Sequence, residues 1–170
     1  CLYFDGANNE TVSTTDNAKL DFAAADNFTV SAWVRKSGAA SANTVILGKA
    51  SANIGSTYQG YKLYMDASGD FCFDTQDGTL AVDTACTSAV EFDDDKWHLV
   101  QGIKTGTTKL DLYIDGSLRA SDTSIASTGS LANSGTFYAG IDSDGLAIEW
   151  KGFIDEVKVY SYARSTAQIQ

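Results

Sequence analysis

Hydrolysis, metal binding and sugar stacking each need particular side chains, and this sequence supplies carboxylates and aromatics most freely. It carries 22 Asp and Glu against 12 Lys and Arg, with 8 Tyr, 8 Phe, 3 Trp and a single histidine, His98. One histidine speaks against a zinc site or a Ser-His-Asp triad. Glycoside hydrolysis needs two carboxylates about 5–10 Å apart on one face. Glu149 and Glu156 lie seven positions apart, so a strand carries them on opposite faces. The most informative carboxylate is Asp155, in the run Phe153-Ile154-Asp155-Glu156-Val157-Lys158-Val159-Tyr160. Strict alternation places it on one face with Phe153, Val157 and Val159. Burying a bare carboxylate there costs several kcal/mol, so Asp155 needs backbone amides, a cationic side chain or a metal. Tyr58, Tyr61, Tyr64, Tyr113 and Trp150 are expected at the surface, where an aromatic ring stacks on the C–H face of a pyranose; some of them must instead belong to the core.

Two acidic clusters have more than one reading. Asp93-Asp94-Asp95 precedes a strand. It is either a solvated loop that blunts edge pairing or a loop that binds calcium or another ligand. Asp142 and Asp144, in Asp142-Ser143-Asp144-Gly145, match the opening of a calcium-loop pattern, but no Glu closes it at the required distance. They read as a turn, and are kept as candidate ligand contacts.

The elements that position these groups are strands. Leu110, Leu112 and Ile114 alternate with Asp111 and Tyr113, and Phe28, Val30, Ala32 and Val34 alternate with Thr29, Ser31, Trp33 and Arg35. Period 2 marks half-buried strands. Asp115-Gly116 is a two-residue hairpin turn, because both central positions need positive φ. Further strands are expected at 2–4, 10–14, 44–49, 61–66, 71–75, 80–83, 97–104, 118–121, 137–141 and 150–160. Residues 165–170 fit one helical turn with Ser165 as N-cap. Strands at this spacing without helical periodicity predict an all-β fold: a two-sheet antiparallel β-sandwich in a single domain, 1–170, forming one module of a larger protein.

Composition narrows the partners. A formal net charge of −10 repels nucleic acid and anionic lipid. No apolar run approaches the roughly 20 residues a membrane helix needs, so membrane insertion is not expected. There is no proline, and the turns fall to the 15 Gly and to Asn, Asp, Ser and Thr. Cys72 and Cys86 flank a hairpin around Gln76-Asp77-Gly78, which makes a disulfide between them plausible. Cys1 is left over; burial, a partner outside the chain, exchange with another cysteine and a lipid anchor all stay open. Asn9-Glu10-Thr11 and Asn27-Phe28-Thr29 agree with an extracellular or cell-surface setting.

Together, Phe4-Asp5-Gly6, Phe28 to Val34, Trp97-His98-Leu99-Val100, Leu112-Tyr113-Ile114-Asp115-Gly116 and Phe153 to Tyr160 resemble the signature of laminin-G-like, concanavalin A-like jelly rolls. The resemblance runs through nearly the whole chain. It implies a structural calcium near both chain ends, held here by Asp155, Asp5, Asn8 and Asn9. Asn stands where the family often has Asp, which weakens such a site. It also implies a structural, packed role for His98. The glucanase branch carries its carboxylates as E-x-D-x-x-E on one strand, and that motif is absent. The expectation is a non-catalytic recognition module that binds glycan or a cell-surface protein. The alternatives are a structural module of a surface polymer and an atypical glycoside hydrolase.

Overall fold

The structure, a computed structural model, describes residues 1–40, 42–51, 57–88, 92–141 and 149–169. Its strands are β1 (Leu2–Asp5), β2 (Val12–Thr14), β3 (Phe28–Lys36), β4 (Thr44–Ala50), β5 (Gln59–Met65), β6 (Phe71–Asp77), β7 (Val82–Cys86), β8 (Trp97–Thr105), β9 (Lys109–Ile114), β10 (Ser117–Asp122), β11 (Phe137–Ala139) and β12 (Lys151–Tyr160). A 3-10 turn at Ala18–Leu20 and a terminal helix, α1 (Thr166–Ile169), complete the described elements. Sheet I has the order β1-β12-β3-β8-β9-β10 and sheet II the order β2-β11-β4-β5-β6-β7, and all the pairings are antiparallel. The expected β-sandwich is the one observed.

The core follows from alternation. Phe28, Val30, Ala32 and Val34 of β3, Val100 of β8 and Leu110, Leu112 and Ile114 of β9 face sheet II. From there Ile46, Tyr61, Leu63, Met65, Phe71 and Phe73 face back. Each Val, Leu, Ile, Met and Phe among them contributes about 1.5–3 kcal/mol by leaving water. Phe28 anchors the aromatic centre: Phe22 stacks on it at 4.1 Å, and the Tyr61 and Phe73 rings lie at 5.1 and 6.1 Å. Gly102 of β8 is small because Phe73 fills the space above it, where an added Cβ would lie 2.5 Å from the ring.

The hairpin turns form as their residues dictate. Asp115 and Gly116 have φ of 51° and 77°, and Thr108 N–H closes the preceding turn on Thr105 O at 3.0 Å. Cys72 and Cys86 sit directly opposite in the β6–β7 ladder and are disulfide-bonded, while Cys1 is free and exposed. Strand β7 begins two residues later than expected, and Leu80 stays exposed in the loop before it.

Candidate binding face

Strand β12 decides where its carboxylates point. Before Asp155 the even-numbered Ile154 faces the core. After the bulge between Asp155 and Lys158 it is the odd-numbered Val159, opposite Val30, that packs inward. Glu156 absorbs the extra residue at φ 51°. Strict alternation therefore fails here, and the expectation for Asp155 is corrected. Together with Phe153 it lies on the outer face of sheet I, its side chain 47% exposed and 3.4 Å from the Cys1 amine. The register also separates the four expected calcium ligands. Leu2 pairs with Ile154 and Asp5 with Lys151, so Asp155 stands at the start of β1 and Asp5 at its end.

Asp5, Asn8 and Asn9 stay together at the first turn, where both asparagines adopt left-handed backbone, with φ of 66° and 57°. Asp5 Oδ1 accepts from Ala7 N–H at 2.8 Å, and Glu149 Oε1 accepts from Asn9 N–H at 2.5 Å. Among the described residues no three His, Cys, Asp or Glu side chains are grouped to share a metal ion.

Three of the expected sugar-stacking aromatics are not at the surface. Trp150 is fully buried, with the Lys36 ammonium 5.8 Å from its ring centroid. Tyr61 faces the core with Leu63 and Met65; its hydroxyl donates to Leu20 O at 3.2 Å, and burial raises its pKa. Tyr58 is 8% exposed, and the Lys62 ammonium covers its ring at 4.5 Å. Tyr64 and Tyr113 are half-buried. Asp142 and Asp144 lie outside the described residues. The three carboxylates of the acidic run have separate duties. Asp93 accepts from Ala40 N–H at 2.6 Å, Asp94 binds Lys96 and His98, and Asp95 binds Arg35. Lys96 and then His98 hold the Asp94 carboxyl down to about 2. His98 also reaches Asp115 at 2.9 Å and packs edge-on against Phe71 and Phe92, the structural place expected of it.

The exposed aromatics are different ones, and they form a row. Tyr3, Phe153, Arg35 and Trp97 are successive cross-strand partners over β1, β12, β3 and β8. The Phe153 ring lies 4.9 Å from Tyr3 and 6.0 Å from Trp97, and the Arg35 guanidinium sits 5.4 Å above it. In the next row Trp33 lies between Asp155 and Leu99. Trp33 and Trp97 are each 38% exposed and Tyr3 53%. Arg35 is held in place by Asp95, with Nε and Nη2 each 3.0 Å from a carboxylate oxygen. The remainder of this face is roofed by the chain's own C-terminal segment. Thr29 Oγ1 donates to Tyr162 O at 2.9 Å and accepts from Arg164 N–H at 3.0 Å. The Gln101 amide oxygen accepts from Arg164 Nη1 at 2.8 Å, its nitrogen donates to Ile169 O at 3.2 Å, and Ile169 is buried. Half of the outer face is thus covered and the aromatic half is bare. The sequence signal for it was two large aromatics: Trp33 on the polar parity of β3, and Trp97 at the start of β8.

This fold and the signature residues agree with a family model that matches residues 3–170, that of Laminin_G_3 in the concanavalin A-like lectin/glucanases superfamily. The chain belongs to this family. Solved structures share the fold of this Laminin_G_3 domain at low identity. The binding domain of Paraclostridial Mosquitocidal Protein 1 superposes with a TM-score of 0.73 at 15% identity, over 97% of this chain and 41% of that one. The botulinum neurotoxin serotype G binding domain gives 0.74 at 13%, over 97% and 40%. The heptameric SAP-like pentraxin of Limulus polyphemus gives 0.68 at 16%, over 98% and 78%. The domain therefore spans about two fifths of the toxin binding domains it matches. No curated protein matches it.

The outer face of sheet II of this Laminin_G_3 domain is polar rather than aromatic. Lys62, Asp74 and Thr84 are cross-strand partners in one row, with Tyr64 and the disulfide beside them. Burial pushes the Asp74 carboxyl up to about 6, against the pull of Thr84, Tyr64 and Lys62. A hydrolase needs a second carboxylate on the same face. Asp83, whose charge adds to the rise, points to the other side of β7, where it accepts from Ala126 and Ser127 N–H at 2.6 and 3.1 Å.

Proposed function

We propose that this domain is a non-catalytic recognition module of a secreted or surface protein, binding glycan through the bare half of sheet I. The observation that carries the reading is the aromatic row with Trp33 behind it. Pyranose C–H faces stack on such rings, while Asp95, Asp155 and the Arg35 guanidinium are placed to take hydroxyls at the rim. An exposed apolar patch edged by polar groups marks an interaction site in a soluble domain. Support also comes from neighbours of the fold such as the receptor binding domain of botulinum neurotoxin D, and from the disulfide, which fits an oxidising compartment.

The test is a glycan array followed by calorimetry on the best hit. Trp33→Ala and Trp97→Ala are each expected to weaken binding at least about tenfold, or 1.4 kcal/mol, without lowering the melting temperature by more than a few degrees. Retention of full affinity in both variants, or no binding across neutral and acidic glycans, would discard the reading.

A further inference from the structure

The two long sides of the sandwich close differently. On one side the sheets are laced together: Asp122 at the end of β10 accepts from Thr84 N–H of β7 at 3.3 Å, and Asp77 at the end of β6 accepts from Gly129 N–H of the loop after β10 at 2.8 Å. On the other side β1 and β2 are the edge strands of their sheets. Between them lies a groove of about 350 Å³. Leu2, Phe4 and Ile154 of sheet I face Val12, Phe137 and Ala139 of sheet II across it. Leu2 and Val12 are 53% and 48% exposed, so apolar surface continues out to the rim.

Two acidic residues, Asp155 and Glu156, border this groove, with the Cys1 amine beside Asp155. Asp155 faces the Cys1 amine and Glu156 bonds Lys158, both in exposed pairs. Both pairs are exposed and screened by solvent, so an incoming cation can displace them. The outward amides of β1 can be identified from one that is already bonded: Asp5 N–H points out of the edge and is taken by Glu10 Oε2 at 2.6 Å. Amides along a strand alternate sides, so Tyr3 N–H points out of the same edge.

We infer that this groove takes an extended peptide of another protein, apolar at alternate positions and carrying Lys or Arg at its ends. The peptide adds to the open edge of β1, its alternate side chains fill the groove, and its cations meet Asp155 and Glu156. A second copy of this chain is the wrong occupant, because each copy carries a formal charge of −10.

The probe is a fluorescent peptide, acetyl-Lys-Val-Thr-Val-Thr-Val-Lys-amide, followed by anisotropy, with its Lys→Glu counterpart as control. Saturable binding of the Lys peptide below about 1 mM is expected, with the Glu peptide at least about tenfold weaker. Thr14→Trp, which places a ring at the groove, and Glu156→Gln are each expected to weaken the Lys peptide about tenfold while melting like wild type. Trp33→Ala should leave this binding intact, which separates it from the glycan reading. Equal affinity for both peptides, no saturation, or unchanged binding in Thr14→Trp overturns the inference. So does a dimer in sedimentation that Thr14→Trp dissolves, since a second copy would then own the groove.

Discussion

At the scale of single residues, Asp74 is the side chain whose setting most changes its chemistry. Its carboxyl is pushed from 3.8 up to about 6, chiefly because burial penalises the charge. Between those values the native state binds more protons than the unfolded chain. Stability from this group therefore falls as pH rises from about 4 to 6, and the cost is complete above that. Asp74→Asn is expected to match wild type at pH 3 and to exceed it by about 1–3 kcal/mol at pH 8, read from urea melts. Equal stability at pH 8 would show that its neighbours already compensate the charge. Asp74 was not legible as special in the sequence, because its burial and the opposing pull of Lys62 and Thr84 arise only when neighbouring strands come together. The inward position of Tyr61 was legible in the sequence. It shares parity with Leu63 and Met65, and that alternation already placed it inward.

At the scale of elements, the informative case is β12. Period 2 read the inner faces of β3 and β9 correctly, since both are regular throughout their pairing with β8. It failed for Phe153 and Asp155 because one residue, Glu156, is inserted in the pairing with β3. A bulge exchanges the faces on either side of it, and nothing in a run of alternating residues announces it. Glu156 holds a left-handed φ of 51° without being glycine. Glu156→Gly is expected to leave stability within about 1 kcal/mol of wild type, because relief of the backbone offsets the added freedom of the unfolded chain. Deleting Glu156 should cost more than about 2 kcal/mol, since Val159 can no longer face Val30 while Ile154 faces the core. Chemical denaturation of the two variants measures both. A harmless deletion would show that the bulge is dispensable.

At the scale of the whole molecule, the strands and the two-sheet architecture were legible because local patterns agree from one end of the chain to the other. The bare and covered halves of sheet I were not. They depend on Thr29 and Gln101 meeting a tail more than sixty residues away in sequence. Calcium at the first turn is a proposal on the same scale, since an ion bound only by the folded domain stabilises all of it. Asp5, Asn8, Asn9 and nearby carbonyls are the oxygen ligands it would use. Calcium at a hundredfold excess over Kd is expected to add about 2.7 kcal/mol, seen as a higher Tm than in EDTA. Asp5→Asn should abolish that response and Asp155→Asn should keep it. Identical melts with and without chelator would remove calcium from the account.

The pairing of β1 with β12 also sets how the domain bears tension. Leu2 lies beside Ile154, and β12 runs on past that point to Tyr160, so the N terminus and the far end of β12 leave from the same end of the pair. A pull between the termini first strips the tail from Thr29 and Gln101. It then loads the β1–β12 hydrogen bonds one after another, as a zipper opens, rather than shearing them together. The N-terminal strand is thus the mechanical weak point, and its departure would lay open Phe4 and the core beneath it at low force.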